Sequence, residues 1–161
     1  MNQKYKGQSL VEVIVAVAVV AALAVALVTT SLVTQKASRG SENNTQATKL
    51  VQENIEQIRV FRDRKGFSVL NNGTYVCIRN SNQDPQNWAL ETLASNCPNN
   101  GVVALNQVNF NRTLIVGNNG SSDRMKSALV TVRVTWTDSS GVQTVSNNTV
   151  LSNCISAQTL C

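Results

Sequence analysis

Glu12 makes the clearest chemical demand of any residue in this chain. It stands inside the apolar run Leu10 to Val28, nineteen residues in which it is the one charge. A carboxylate at mid-bilayer costs about 2.5–3.5 kcal/mol on insertion scales, and such residues mark sites with a partner. The other residues with chemistry are Cys77, Cys97, Cys154 and Cys161, all downstream of the run. An even number beyond a membrane segment suggests disulfides. Their spacings contain no Cys-x-x-Cys pair, and the 161 residues include no His. A zinc site is therefore not expected, nor any Ser-His or Cys-His dyad. No catalytic residue, metal or cofactor is assigned, and the chain is read as not an enzyme.

The element that positions Glu12 is long. The run continues through Thr29, Thr30 and Ser31 to Leu32 and Val33. A bilayer crossing needs ~20 residues. Lys4 and Lys6 precede the run, and Lys36 and Arg39 follow it, so the positive-inside rule is nearly balanced. A short N-terminal tail and a long C-terminal domain favour a single-pass protein of the cytoplasmic membrane, N-in and C-out. The net charge of +5 is too modest to name nucleic acid as a partner. Two simple readings of the run fail on Glu12. A secretory signal cleaved after Ala22-Leu23-Ala24 or Ala24-Val25-Ala26 does not want a charge there. A plain anchor gives the carboxylate no purpose.

The segment Lys4-Tyr5-Lys6-Gly7-Gln8-Ser9-Leu10-Val11-Glu12 resembles the processing site of a type IV prepilin or pseudopilin. In that family a prepilin peptidase cuts after a Gly that follows a short basic leader. The mature chain opens on a hydrophobic helix with Glu as its fifth residue. Cutting after Gly7 makes Gln8 the first residue and Glu12 the fifth. The first mature residue of the family is usually Phe or Met and is N-methylated; here it is Gln8. There is no Pro or Gly between Gln8 and Arg39, where many major pilins carry such breakers. The resemblance implies a cation for Glu12. Cleavage frees an α-amino group on Gln8, of ordinary pKa ~8, and in a filament that of an adjacent subunit would meet Glu12. The implied partners are other pilin subunits, the prepilin peptidase, an inner-membrane assembly platform and membrane lipid. The implied destination is an extracellular filament. Two alternatives stay open: a pseudopilin of a type II secretion system, and a tip-located binding module for adhesion or DNA uptake.

Downstream, Ala47, Leu50, Val51, Ile55, Ile58 and Phe61 recur at mostly three or four residues, one face of an amphipathic helix. Arg62, Arg64 and Lys65 close it and complement the carbonyl end of its dipole, with Gly66 as the stop. Gly40, followed by Ser41 and Glu42, predicts a kink near Arg39–Asn43. Strands are predicted at Thr74–Arg79 after an Asn72-Gly73 turn, at Asn87–Leu93, Val102–Leu105 and Arg112–Val116, and at Leu129–Thr137 with clean alternation. A hairpin loop, Asp138-Ser139-Ser140-Gly141, leads into Val142–Leu151. The segments Ser81–Gln86 and Asn96–Gly101 read as loops. Helix first, then antiparallel strands, argues an α+β fold. It is pilin-like: a long N-terminal helix, half membrane and half amphipathic, packed on an antiparallel sheet. The organisation is a leader at 1–7, a membrane and assembly helix at 8–33, its amphipathic continuation at 34–66 and a β-sheet head at 67–161. No specific family motif lies beyond Lys65.

Four cysteines allow three pairings. Local pairing is expected, Cys77 with Cys97 and Cys154 with Cys161, the second closing a small terminal loop as pilins of this family often do. The Arg59, Arg62, Arg64 and Lys65 cluster is read as a solvated helix end rather than a grip on DNA phosphates. The five Asn-x-Ser/Thr sequons, at Asn43, Asn72, Asn111, Asn119 and Asn147, are about what chance gives in so Asn-rich a chain. Asn118 to Asp123 has one carboxylate and is read as a turn, not a calcium loop.

Overall fold

The apolar and amphipathic runs form one helix, α1 (Lys6–Lys65). The computed structural model describes residues 6–79, 84–118 and 127–152. α1 is helical through Arg39–Asn43, where the sequence predicts a kink. A helical Gly costs only about 1 kcal/mol relative to Ala. An added Cβ at Gly40 would meet nothing within 4 Å. Contacts divide the chain into two units, Met1–Glu42 and Asn43–Cys161.

In the first unit the helix is apolar on all sides. Every large hydrophobic side chain from Leu10 to Val33 is 53–73% exposed. The hydroxyls at its far end are satisfied by the helix itself. Thr29 Oγ1 and Thr30 Oγ1 donate to the Ala26 carbonyl at 2.9 and 2.8 Å, and Thr34 Oγ1 to that of Thr30 at 2.9 Å. Back-bonding of this kind lets a polar side chain enter an apolar medium without an orphaned donor.

In the second unit the last turns of α1 cover a sheet. The strands are β1 (Gly73–Tyr75), β2 (Cys77–Arg79), β3 (Ala89–Glu91), β4 (Val102–Leu105), β5 (Val108–Asn118), β6 (Ser127–Asp138) and β7 (Gly141–Ser152). The main sheet runs β1-β5-β6-β7, with β4 beside β1 on the outer side of β5; all pairings are antiparallel. On β6, Ala128, Val130, Val132, Val134 and Trp136 are buried, while Arg133 and Thr137 are exposed. Period-two alternation puts one face toward the core. Against it lie Phe110, Leu114 and Val116 of β5 and the α1 stripe Ala47, Leu50, Val51, Ile55, Ile58 and Phe61. Phe110 and Trp136 face each other across the strands, ring centroids 5.7 Å apart. Gly66 ends α1 at φ 90°, its N–H on the Arg62 carbonyl at 2.7 Å. A left-handed residue just past the last turn suits Gly.

The single strand expected at Thr74–Arg79 is two strands in two sheets. β1 pairs with β5, whereas β2 pairs with β3. The break falls at Val76, whose N–H donates to the Glu91 carbonyl at 2.8 Å. Gly73, expected in a turn, opens β1. Two features draw β2 away. Cys77 is bonded to Cys97. Gly101, at φ 80°, lies so close that a Cβ there would sit 2.5 Å from Val76 Cγ1. Asn87–Leu93 yields only the short β3. Asn96–Gly101 is a loop of tight turns, with Asn99 and Asn100 at φ 49° and 54°. β4 and β5 meet through Asn106 and Gln107, at φ 47° and 67°. Positive φ at both central residues is the two-residue hairpin geometry. At the other hairpin, Asp138 Oδ1 accepts the Ser140 N–H at 2.7 Å.

Candidate assembly site on the N-terminal helix

Gly7, Gln8 and Glu12 all lie in α1. Gln8 and Glu12 are four residues apart, which places them on one helix face. Glu12 is exposed, and its described neighbours along the helix are apolar. From Leu10 to Val33 the helix offers no other charged side chain. The arrangement is a lone carboxylate at the start of an apolar rod. It can accept hydrogen bonds and attract a cation; it holds no catalytic set. The helix is long and apolar enough to cross a membrane by length and composition. Among the described residues no cluster of His, Cys, Asp or Glu has the makings of a metal site.

The other residues singled out from sequence fall elsewhere. The disulfide Cys77–Cys97 is buried and ties β2 to the turns before β4. Cys154 and Cys161, and Asn119 to Asp123, lie outside the described residues. The basic helix end is largely engaged within the molecule. Arg59 Nη1 binds Glu56 Oε1 at 2.6 Å, and its Nη2 donates to Thr149 Oγ1 at 3.3 Å. Arg62 pairs with Asp63 at 2.6 Å, and Lys65 Nζ lies 5.8 Å from the centre of the Phe61 ring.

Sequence reasoning missed three polar groups in the core. Asn54 is buried and donates to the Leu50 carbonyl at 2.6 Å. Trp136 Nε1 and Arg112 Nε are buried and have no hydrogen-bond acceptor among the described residues. Arg112 alternates in phase with Phe110, Leu114 and Val116, so it shares their inward face. Burial lowers its guanidinium pKa, and the charge of Glu53 opposes that shift. The strand alternation was the signal that would have found it.

The molecule is thus a membrane-competent apolar helix leading into a disulfide-closed α+β head. Residues 2–28 match the family model of the prokaryotic N-terminal methylation motif. That motif is the type IV prepilin signature, and it supports a type IV pilin-like protein. The matched stretch ends within the apolar half of α1, well before the head. No curated protein and no solved structure matches the chain.

Proposed function

We propose that this chain is a structural subunit of a type IV pilus-like filament, trimmed after Gly7 and polymerised through the apolar half of α1. One observation carries the reading. Glu12 stands four residues beyond Gln8, within the matched motif, on a helix whose other side chains from Leu10 to Val33 are apolar or hydroxyl. Cleavage of the Gly7–Gln8 bond frees an α-amino group that is largely cationic near neutrality. Before assembly the chain is an N-in, C-out membrane protein, and Glu12 stays near the hydrated cytoplasmic face. In the filament, Glu12 enters a core of packed apolar helices. The α-amino group of a neighbour's Gln8 neutralises it there. The prepilin peptidase, an inner-membrane platform and like subunits are its partners.

The test has two parts. Protein recovered from cells should begin at Gln8; a start near Val25 would end the reading. Deleting one partner of a buried ion pair costs ~3–5 kcal/mol, because the other charge is stranded. Glu12→Leu should therefore give a trimmed, membrane-resident protein at normal abundance that is strongly depleted from sheared surface filaments. Equal filament yields for mutant and wild type would remove Glu12 as the docking group.

A further inference from the structure

Two cations stand just beyond the far end of the apolar run. Lys36 and Arg39 are both exposed on α1. Three residues apart on a helix, they share one face, with Cβ atoms roughly 5–6 Å apart. Among the described residues neither belongs to an ion pair. No carboxylate lies between Glu12 and Glu42. Like charges this close on a helix repel each other, and an anion between them relieves the repulsion. Cytoplasmic flanks normally carry the excess of Lys and Arg, so two cations at the other end call for a local reason.

We propose that Lys36 and Arg39 clamp the phosphate of an anionic phospholipid in the outer headgroup layer. The inference rests on the N-in, C-out reading of the anchored chain. Three observations select this partner. The first is depth. Val13 to Val33 is a stretch of twenty-one residues without a charge. At ~1.5 Å per residue it is ~30 Å long, the thickness of the hydrocarbon core. With Glu12 at the inner boundary, Val33 marks the outer one. The Lys36 Cα lies ~4.5 Å beyond it and that of Arg39 ~9 Å, where the headgroup layer is ~5–7.5 Å deep. A tilt of ~20° shortens these heights by only about a twentieth. The second is direction. Cα–Cβ bonds of a helix lean toward its N-terminus, which here is toward the bilayer. Both stems run back that way, as snorkelling side chains do, and Arg39 reaches into a layer that its Cα stands outside. The third is charge. Cleavage after Gly7 removes Lys4 and Lys6, leaving Lys36 and Arg39 as the basic side chains that flank the run. A zwitterionic headgroup holds its own ammonium beside the phosphate, whereas an anionic one leaves the phosphate to the protein. A guanidinium offers phosphate oxygens two parallel N–H donors, and an ammonium offers a compact charge.

The test counts lipid on the full chain. Protein purified in neutral detergent is offered equal amounts of phosphatidylglycerol and phosphatidylcholine, and the retained lipid is read by native mass spectrometry. Wild type should retain phosphatidylglycerol in preference. Lys36→Gln with Arg39→Gln should lower that preference about fivefold or more, the scale of a single cation at an anionic surface. Lys49→Gln with Arg64→Gln removes the same charge from exposed positions of the second unit and should leave the preference unchanged. Equal losses from the two double variants would overturn the proposal, by making the effect one of net charge. So would a wild type with no preference. Displacement of the lipid by inorganic phosphate would overturn it too, by making the pair a site for free anions. The lipid ratio in detergent needs neither trimming nor assembly, so it can fail while the mature chain still begins at Gln8, and hold where it does not.

Discussion

The two halves of α1 share one secondary structure and differ in everything that surrounds it. From Leu10 to Val33, apolar side chains point in every direction and all are exposed. From Ala47 to Phe61 most of them, Ala47, Leu50, Val51, Ile55, Ile58 and Phe61, occupy one buried stripe, while Val60, Glu53 and Glu56 are on the exposed side. A helix apolar all round is made for lipid or for other such helices; a striped one is made for its own sheet. The distribution around the axis, not helix propensity, decides the solvent.

Substitutions that shorten a side chain separate the halves most sharply. Ile58→Ala removes a fully buried side chain facing the sheet. It should cost the head ~2–5 kcal/mol in urea unfolding followed by Trp fluorescence. Val19→Ala, in the exposed half, should leave that curve within ~0.5 kcal/mol. Equal losses would mean that the first unit also stabilises the head.

The disulfide gives the next largest effect. Cys77 and Cys97 are 20 residues apart in sequence. Closing a loop of that size contributes ~3 kcal/mol in the chain-entropy account. Cys77→Ser with Cys97→Ser should lower head stability by about that much, while leaving membrane-fraction abundance of the anchored chain unchanged. Loss of membrane insertion in the double variant would contradict the separation.

The smallest effect sits at the junction. Gly40→Ala has room for its methyl group and gains up to ~1 kcal/mol of helix propensity. Amide exchange around residues 38–43 should slow about fivefold. Faster exchange there would show that the Gly serves a bent state.

Legibility followed the strength of the local pattern. The stripe on α1, the alternation of β6 and the stop at Gly66 were all readable, because each is a period or a cap carried by neighbouring residues. The split at Val76 was not. It depends on Cys97 and Gly101, more than 20 residues downstream, and no local pattern in Thr74–Arg79 announces it. The Asn106-Gln107 turn lacked the Gly that usually advertises positive φ. Gly40 did not end the helix, because a helix absorbs a single unfavourable residue. At the N-terminus, the methylation motif that spans Gly7 and Glu12 was legible from spacing. Arg112 was hidden because its charge suggested surface while its phase in β5 pointed inward.

The apolar stripe of α1 also has a schedule. It is made before anything that covers it. Most of the opposing face comes from β6, which is complete only at Asp138. At ~5–20 residues per second, the chain from Gly66 to Asp138 takes roughly 4–15 s to synthesise. Throughout that interval Leu50, Ile55, Ile58 and Phe61 lack the complete sheet. A chain stopped before Ser127 would carry the apolar helix and the stripe without the β6 part of its cover, and would be a substrate for quality control rather than a shorter subunit.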